Sequence, residues 1–476
     1  CCETTSTILE EEDIYSLPAD RMLLKVLLVV LCGVPAPVAG GAEAQQGPLP
    51  LLIASFDGFR AEYLQRFPMK NLKLLYSQGV LVEQLTNVFI TKTFPNHYTL
   101  VTGLYAESHG ILASRMYDPV SHKNFSAGQD LDPMWWTQAQ PLWITALDSG
   151  YKTATMMWPG SDVLNRTATH FLPYDRSVTF QQRIGNVTKW LLGNGKEPGV
   201  KFAAVYWEEP DTSGHVHGPD DTAAMSKVLK EVDDNIGLLV STLKSTGLWG
   251  RINLIITSDH GMAQLSAERI IRLDDCIPPD NYTLVDLSPV AALIPHADPQ
   301  TVFPRLSKCH DHMTAYLKRD IPDRLHYRNN ERITPILLVA DEGWTIVQRG
   351  NTLSRLGDHG YDNSLPSMHP FMVAAGPSFR EGYRISSLRS VDIYPLMCHL
   401  LSVPPRPNNG SLSQARCLLA AEACGNLSQV ISLVLGILLV LTTIILFIRW
   451  RRNLRQSRSR AFQRLEMDDD EESLFG

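Results

Sequence analysis

The sequence predicts a layered α/β domain with a mostly parallel central sheet, followed by one C-terminal transmembrane helix. Short, continuous apolar runs are typical of strands that are buried on both faces of a parallel sheet. Such runs occur at residues 51–56, 202–206, 252–256, 336–339 and 371–375. Helix-like stretches such as residues 222–245 alternate with these runs, which favours helices packed on both faces of the sheet. A last apolar run, residues 430–448, has the length of about 19 residues that a membrane span needs.

Length and composition restrict the class of protein. The chain has 476 residues, of which 44% are hydrophobic and 20% are charged, and its net charge is −7. This composition is typical of a globular protein, and the acidic balance argues against a nucleic-acid partner. No internal repeat or long low-complexity linker divides the chain, so we expect one large domain at 45–403 rather than three domains. A short stalk rich in proline, asparagine and glycine is expected at 404–429.

Two apolar segments indicate how the chain is placed in a membrane. Residues 22–44 combine a basic flank, a short apolar core and small residues, which is the pattern of a secretory signal peptide. We interpret residues 1–21 as upstream sequence outside the mature protein; a cytosolic extension before a signal anchor is the alternative. Six arginines between 449 and 460 follow the span at 430–448, which predicts a cytoplasmic tail at 449–476. The expected topology is single-pass type I in the plasma membrane, with the large domain extracellular.

Asparagine sequons support secretion of the large domain. The sequons lie between the two apolar segments and predict glycosylation at Asn124, Asn165, Asn186, Asn281 and Asn409. A sixth sequon, at Asn426, lies so close to the span that its modification is not expected.

An oxidising compartment also permits disulfides, and the large domain with its stalk contains five cysteines. Cys276 with Cys309 is the preferred pair. Cys398 lies in an apolar stretch and is expected in the core, which leaves Cys417 with Cys424 as a possible second pair. The connectivity does not follow from the sequence alone.

Acidic and histidine side chains follow the predicted strands at the ends where parallel sheets bind ligands. The candidates are Asp57, Asp211, His215, Asp259 and His260, together with His359 in a later loop between glycines. Taken singly, such an aspartate is usually a turn or cap residue, and an Asp-His dipeptide is usually on the surface. Taken together, the six residues supply enough carboxylate and imidazole ligands for two zinc ions.

Thr93 is the candidate nucleophile. An extended apolar piece leads into Thr93, Pro95 follows, and a helical pattern begins there. At a helix N-terminus, free N–H groups favour a phosphate or an alkoxide, although a threonine at this place can also be a simple cap. A hydroxyl needs activation at neutral pH, and two metal ions can supply it.

Five segments together resemble the nucleotide pyrophosphatase/phosphodiesterase family of the alkaline phosphatase superfamily. They are residues 55–60 (SFDGFR), 91–98 (TKTFPNHY), 102–111 (TGLYAESHGI), 257–262 (TSDHGM) and 357–363 (GDHGYDN). The resemblance extends from about residue 51 to residue 401 and implies an alkaline-phosphatase-like three-layer sandwich. It also implies an extracellular two-zinc hydrolase that forms a covalent threonine-nucleotidyl intermediate.

The resemblance implies a role for each site residue. One zinc ion would be bound by Asp211, His215 and His359, and the other by Asp57, Thr93, Asp259 and His260. Thr93 would be the nucleophile. Tyr174 matches the tyrosine on which the nucleotide base stacks, with ordinary core packing as the alternative, and Asp358 is expected to approach the base.

Ser114 is a departure from the family pattern. The family usually has an asparagine about 21 residues after the nucleophile, which donates a hydrogen bond to a phosphoryl oxygen. A serine hydroxyl can also donate but is shorter, and loss of one transition-state donor can lower the rate by about 10²–10³-fold. The expected catalytic rate is therefore lower than the intact metal site suggests.

The resemblance implies hydrolysis of diadenosine triphosphate to AMP and ADP, with diadenosine tetraphosphate next in preference. A phosphodiesterase acting on a choline phospholipid is the alternative within catalysis. A metal-binding adhesion or signalling domain with little turnover is a second alternative, which only Ser114 favours. A phosphomonoesterase would need a positive clamp that the motifs do not obviously contain. The sequence indicates no particular protein partner.

Overall fold

The computed structural model describes residues 47–348, 350, 352–422 and 427–472. The predicted upstream segment 1–21 and signal peptide 22–44 lie outside these residues, as does Asn426. The strands are β1 (Leu51–Phe56), β2 (Val80–Thr86), β3 (Arg115–Asp118), β4 (Lys123–Ser126), β5 (Thr153–Met156), β6 (His170–Leu172), β7 (Phe202–Trp207), β8 (Asn253–Thr257), β9 (Ala263–Gln264), β10 (Ile270–Arg272), β11 (Tyr282–Asp286), β12 (Val290–Pro295), β13 (Met313–Leu317), β14 (Ile336–Ala340), β15 (Thr345–Val347), β16 (Gly357–Asp358), β17 (Met372–Ala375) and β18 (Tyr383–Arg389).

The α-helices of the same residues range from single turns to a long C-terminal helix. They are α1 (Tyr63–Arg66), α2 (Lys70–Ser77), α3 (Thr93–Thr102), α4 (Ala106–His109), α5 (Leu142–Asp148), α6 (Phe180–Leu192), α7 (Asp211–His217), α8 (Thr222–Ser245), α9 (Leu273–Cys276), α10 (Pro299–Leu306), α11 (Ile393–Leu400), α12 (Leu412–Ala415) and α13 (Leu427–Glu472).

The predicted mostly parallel central sheet is confirmed. Its eight strands have the order β18-β2-β17-β8-β1-β7-β5-β6. β1 lies between β7 and β8 and pairs in parallel with both. β17 is antiparallel to its neighbours β8 and β2, although its apolar run resembles those of the parallel strands. Burial on both faces produces the same apolar run in either strand direction, so the run did not reveal this reversal.

Helices cover both faces of the central sheet and complete a three-layer sandwich. Alternate residues of β1 point to opposite faces, so Leu51 and Ile53 enter one hydrophobic cluster and Leu52 and Phe56 enter the other. Helices α3, α5 and α11 contribute to the first cluster, and helices α2, α6 and α8 contribute to the second.

Helix α8 shows why the local sequence forms this layer. Its buried apolar residues recur every three or four positions from Met225 to Leu243, which places them on one face of the helix. The Asp221 side chain accepts a hydrogen bond from the backbone N–H of Ala224 and caps the first turn. The observed bounds equal those expected from this periodicity.

A smaller four-stranded sheet has the order β11-β12-β14-β13 and is antiparallel throughout. The apolar run at 336–339 therefore forms β14 of this sheet and is not one of the central parallel strands. A disulfide joins Cys276 to Cys309 beside this sheet, which is the pair that the sequence prefers. Cys398 is buried in α11, as expected.

The core continues past residue 403, where the sequence predicts that the domain ends. Ala415, Leu418 and Leu419 are buried in the same hydrophobic cluster as α11, and Leu419 forms a β-bridge with Phe379. Residues 412–419 thus contribute to the core of the domain rather than to a stalk, because their apolar side chains are buried in that cluster. Segment Ile431–Arg460 of α13 is long and apolar enough to cross a membrane, judged by length and composition.

The predicted glycosylation sites are placed mostly on the surface. Asn124, Asn165, Asn281 and Asn409 are exposed, and Asn186 is half-buried within α6. Glycosylation at these five residues stays a prediction.

Candidate active site

The candidate site lies at the carboxyl ends of three adjacent strands. Asp57 directly follows β1, Asp211 begins helix α7 just after β7, and Asp259 is the second residue after β8. Gly58 allows two of these segments to approach each other, since a Cβ at this position would lie 2.7 Å from the Cβ of Asp211. Gly58 also has a φ of 69°, a left-handed conformation that glycine adopts without strain.

One group of ligand atoms surrounds the imidazole of His260. Its Nε2 lies 3.3 Å from Oδ1 of Asp57 and 3.0 Å from Oδ2 of Asp259. The Oγ1 of Thr93 lies 3.2 Å from the same nitrogen. The structure thus brings together the four residues that the family resemblance assigns to one zinc ion.

A second group surrounds the carboxylate of Asp211. Its Oδ2 lies 3.4 Å from Nε2 of His215, and its Oδ1 lies 3.4 Å from Nε2 of His359. The rings of His260 and His359 stack with centroids 3.5 Å apart, so the two groups adjoin each other. These are the three residues assigned to the other zinc ion.

Backbone carbonyl groups orient all three histidines. Each Nδ1 donates a hydrogen bond to a carbonyl oxygen: His215 to Gly357 at 2.7 Å, His260 to Gly261 at 2.9 Å and His359 to Thr91 at 2.9 Å. The tautomer with the proton on Nδ1 leaves each Nε2 free as a metal ligand, and metal-binding histidines usually donate their other ring N–H in this way.

The carboxylate oxygens fit the same interpretation. Asp57 Oδ1, Asp211 Oδ1 and Asp259 Oδ2 are buried and make no hydrogen bond within the described residues. Buried carboxylates are ordinarily paired or bound to a metal, and these oxygens face imidazole nitrogens at 3.0–3.4 Å. Three overlapping groups of these residues, one of which includes Asp358, have ligand atoms within 4.8 Å of one another. Oxygen and imidazole donors of this kind suit zinc.

The electrostatics of the pocket are strongly perturbed. Burial raises the pKa of Asp57 well above its usual value, and the nearby carboxylates of Asp259 and Asp211 add to the effect. Burial also opposes ionisation of Asp259, but His260 and His97 outweigh it and hold the pKa of Asp259 well below the usual value. Burial and the neighbouring His260 lower the pKa of His359. Several carboxylates crowded without a cation between them are costly, which is a further reason to expect a metal.

Thr93 occupies the predicted position at a helix start. It is the first residue of α3, is half-buried and lines a cavity of about 890 Å³. Ser114 lies immediately before β3 and lines the same cavity. Asp358 is buried in the wall of this cavity.

Tyr174 lies beside the site and is not part of the core. Its side chain is 51% exposed, and its ring centroid lies 6.0 Å from that of Tyr206. An exposed aromatic face at this place is available for stacking on a base.

Three residues that contact the candidate site residues were not recognised in the sequence. Tyr206 donates a hydrogen bond of 2.6 Å from its hydroxyl to Oδ2 of Asp57. His97 lies 3.3 Å from Oδ2 of Asp259 and donates from Nδ1 to the carbonyl oxygen of Thr93. Lys92 is buried with its Nζ 3.4 Å from Asp358. Lys92 and His97 flank Thr93 in the segment 91–98, and this proximity is the sequence signal that could have marked them.

Comparisons with known proteins agree with this geometry. Residues 51–362 match the family model described as type I phosphodiesterase / nucleotide pyrophosphatase. The chain is 51% identical over 457 residues to the bis(5′-adenosyl)-triphosphatase of Bos taurus, a match that covers 95% of this chain and 100% of that protein. It is 50% identical over 459 residues to the human protein of the same name, with 95% and 100% coverage.

Solved structures show the same similarity. Human ectonucleotide pyrophosphatase/phosphodiesterase 5 superposes with a TM-score of 0.75 at 46% identity, covering 78% of this chain and 100% of that one. An inactive threonine-to-alanine variant of the murine protein, in complex with AMP, gives a TM-score of 0.76 at 43% identity, with 79% and 100% coverage.

Proposed function

The chain belongs to the type I phosphodiesterase/nucleotide pyrophosphatase family and is an enzyme, and we propose that it hydrolyses diadenosine triphosphate to AMP and ADP. Diadenosine tetraphosphate is proposed as the next substrate in preference. Relatives about half identical to this chain carry the name bis(5′-adenosyl)-triphosphatase, and this supports the substrate. The relative solved with AMP supports a nucleotide in the pocket.

We propose that the site holds two zinc ions. Asp211, His215 and His359 would bind one, and Asp57, Thr93, Asp259 and His260 would bind the other. When bound, such ions act as Lewis acids that activate an oxygen nucleophile and neutralise phosphoryl oxygens. The oriented imidazoles and the unpaired carboxylate oxygens described above support this ligand set.

Thr93 is the proposed nucleophile. Its Oγ1 forms a bond to the phosphorus of one adenylyl group while the bond from that phosphorus to the ADP oxygen breaks. Water then hydrolyses the threonine–AMP ester and restores the hydroxyl, so that one diadenosine triphosphate and one water give AMP and ADP. The N-terminus of α3, where Thr93 lies, favours the negative charge of the reacting phosphate.

Residues around Thr93 would position the substrate. The Ser114 hydroxyl is available to donate to a phosphoryl oxygen, and the exposed ring of Tyr174 is available to stack on the adenine. The observation that carries the proposal is the hydroxyl of Thr93 at a helix start, 3.2 Å from His260 and beside both ligand groups.

The test is hydrolysis of diadenosine triphosphate by the full chain purified in detergent, with Thr93→Ala and Thr93→Ser beside the parent. We expect chelator-sensitive release of AMP and ADP by the parent, loss of turnover in Thr93→Ala and partial turnover in Thr93→Ser, since serine keeps a hydroxyl. Metal content would be measured on each variant by elemental analysis. A parent that binds metal but releases no product, or an active Thr93→Ala variant, would contradict the proposal.

We also propose that α13 anchors the enzyme in the plasma membrane as a type I protein with the domain outside the cell. The apolar segment Ile431–Arg460 and the arginines that end it support this orientation. Protease added to intact cells should remove the domain and leave the tail. A protected domain would refute the orientation.

A further inference from the structure

Two cations share one carboxylate on the wall of the catalytic cavity. Oδ1 of Asp358 lies 3.4 Å from Nζ of Lys92 and 3.4 Å from Nη1 of Arg355. The same oxygen accepts a hydrogen bond of 2.9 Å from the backbone N–H of His359. One negative charge thus faces two positive charges, and the group carries a net charge of about +1 at neutral pH.

Arg355 is the more available of the two cations. The Lys92 side chain is 10% exposed, whereas that of Arg355 is 46% exposed and lines the cavity. Strong charge-assisted hydrogen bonds to a carboxylate are about 2.7–2.9 Å long, so the contact of Arg355 with Asp358 is loose. Nη1 of Arg355 also lies 3.3 Å from Nδ1 of His215, so the N–H donors of Nε and Nη2 are the ones available to a ligand in the cavity.

The remaining lining of the cavity favours an anionic ligand. Apart from the metal ligands, the described lining contains three cations, Lys92, Arg115 and Arg355, and two carboxylates, Asp286 and Asp358. Burial raises the pKa of Asp286, which weakens its opposing charge. The described lining contains no Phe, Tyr or Trp. Quaternary ammonium groups are usually bound in aromatic cages, so this wall does not suit a choline leaving group.

We propose that Arg355 binds the phosphates of the departing ADP and thereby selects substrates whose leaving group is a phosphate chain. This inference rests on the proposed function. A planar guanidinium can bind two phosphate oxygens at once, which suits a polyphosphate better than a phenolate or an alcohol. Tyr174 lies outside the described lining of this cavity, so it and Arg355 contact different parts of the substrate.

The test compares two substrates that share a nucleotidyl group and differ in the leaving group. Diadenosine triphosphate releases ADP, and the p-nitrophenyl ester of thymidine 5′-monophosphate releases a phenolate without phosphate. In Arg355→Gln we expect the ratio of kcat/KM for the first substrate to that for the second to fall about 10- to 100-fold, the usual effect of losing a hydrogen bond to a charged group. Arg355→Lys should restore part of the ratio.

Arg319→Gln is the charge-matched control, because Arg319 is exposed and lines a different cavity. Its ratio should equal that of the parent. An unchanged ratio in Arg355→Gln would overturn the inference, whether kcat/KM falls equally for both substrates or for neither.

Product inhibition separates this inference from the proposed function. With the nitrophenyl ester as substrate, the inhibition constant of ADP should rise about 10-fold in Arg355→Gln while that of AMP stays nearly constant. This result can be obtained even if diadenosine triphosphate is not hydrolysed, an outcome that would refute the proposed substrate alone. Equal changes for ADP and AMP would overturn the role of Arg355.

Discussion

The hydroxyl of Tyr206 provides a direct test of the proposed metal site. It donates to Oδ2 of Asp57 at 2.6 Å, which is the short distance of an O–H group bonded to a charged oxygen. Both side chains are buried, with Tyr206 9% and Asp57 1% exposed, so water cannot easily replace the bond. Tyr206→Phe removes only the hydroxyl and keeps the ring that packs against His97 with centroids 5.2 Å apart.

The size of the effect follows from the kind of bond. A hydrogen bond to a charged group contributes about 1.5–3 kcal/mol, which corresponds to about a 10- to 150-fold change in an equilibrium constant. The bond fixes the Asp57 rotamer and supports its ionised form, and metal binding needs both. Loss of a partner that holds a metal ligand usually lowers metal affinity by about 10- to 100-fold, which agrees with this range. We therefore expect Tyr206→Phe to bind zinc about 10- to 100-fold more weakly than the parent.

The assay is equilibrium competition between the purified protein and a fluorescent zinc chelator, which does not depend on turnover. Tyr63→Phe is the matched control, because Tyr63 is also buried but its hydroxyl has no hydrogen-bond partner within the described residues. Removing an unpaired buried hydroxyl should not weaken zinc binding or folding. Parent-like affinity in Tyr206→Phe, or an equal loss in Tyr63→Phe, would refute the reasoning.

Three further predictions concern the rate and the stability. Ser114→Asn should raise kcat for diadenosine triphosphate, by up to about 10²-fold, with unchanged zinc content, because a longer amide donor reaches the phosphoryl oxygen; an unchanged or lower kcat would contradict this role. Replacing both Cys276 and Cys309 by serine should lower the free energy of unfolding by about 3–4 kcal/mol, as expected for a separation of 33 residues, when denaturant curves are compared. Arg332→Met should lower the same free energy by about 3–5 kcal/mol, because it leaves the carboxylate of Asp118, 3.0 Å from Arg332, without its cation; a parent-like denaturant midpoint would refute that estimate.

Local patterns predicted the elements that depend on local sequence. Strand β1 and helix α8 have the expected bounds, because a continuous apolar run and a 3.6-residue period are properties of the segment itself. The position of Thr93 at a helix start was also predictable from the proline two residues later. The aspartate and histidine residues that follow the strands were also predictable, because they lie directly after the apolar runs in the sequence.

Features that depend on contacts between residues distant in the sequence were not predictable from local sequence patterns. The antiparallel direction of β17 and the position of β14 in the second sheet depend on how the chain connects the strands. The apolar runs contain no information about these connections. Burial of Leu418 depends on packing in a cluster that also contains residues far away in the sequence, such as Leu51 and Val80. The hydrogen bond from Tyr206 to Asp57 joins residues 149 positions apart, so no local pattern marks it.

The aspartates that follow the strands and the residues of the cavity wall lie in different parts of the fold. The proposed metal binding and the proposed choice of substrate should therefore be separable. Asp57 and Asp259 follow adjacent strands of a buried sheet, where any displacement disturbs the core. Ser114 and Arg355 lie in connections outside that sheet, where replacements leave the strands in place. A change at Tyr206 should therefore lower zinc occupancy and the hydrolysis of every substrate together. A change at Ser114 should alter kcat, and a change at Arg355 should alter the preference between leaving groups, both at full zinc occupancy. Measuring zinc content beside the two kinetic constants therefore distinguishes the three roles.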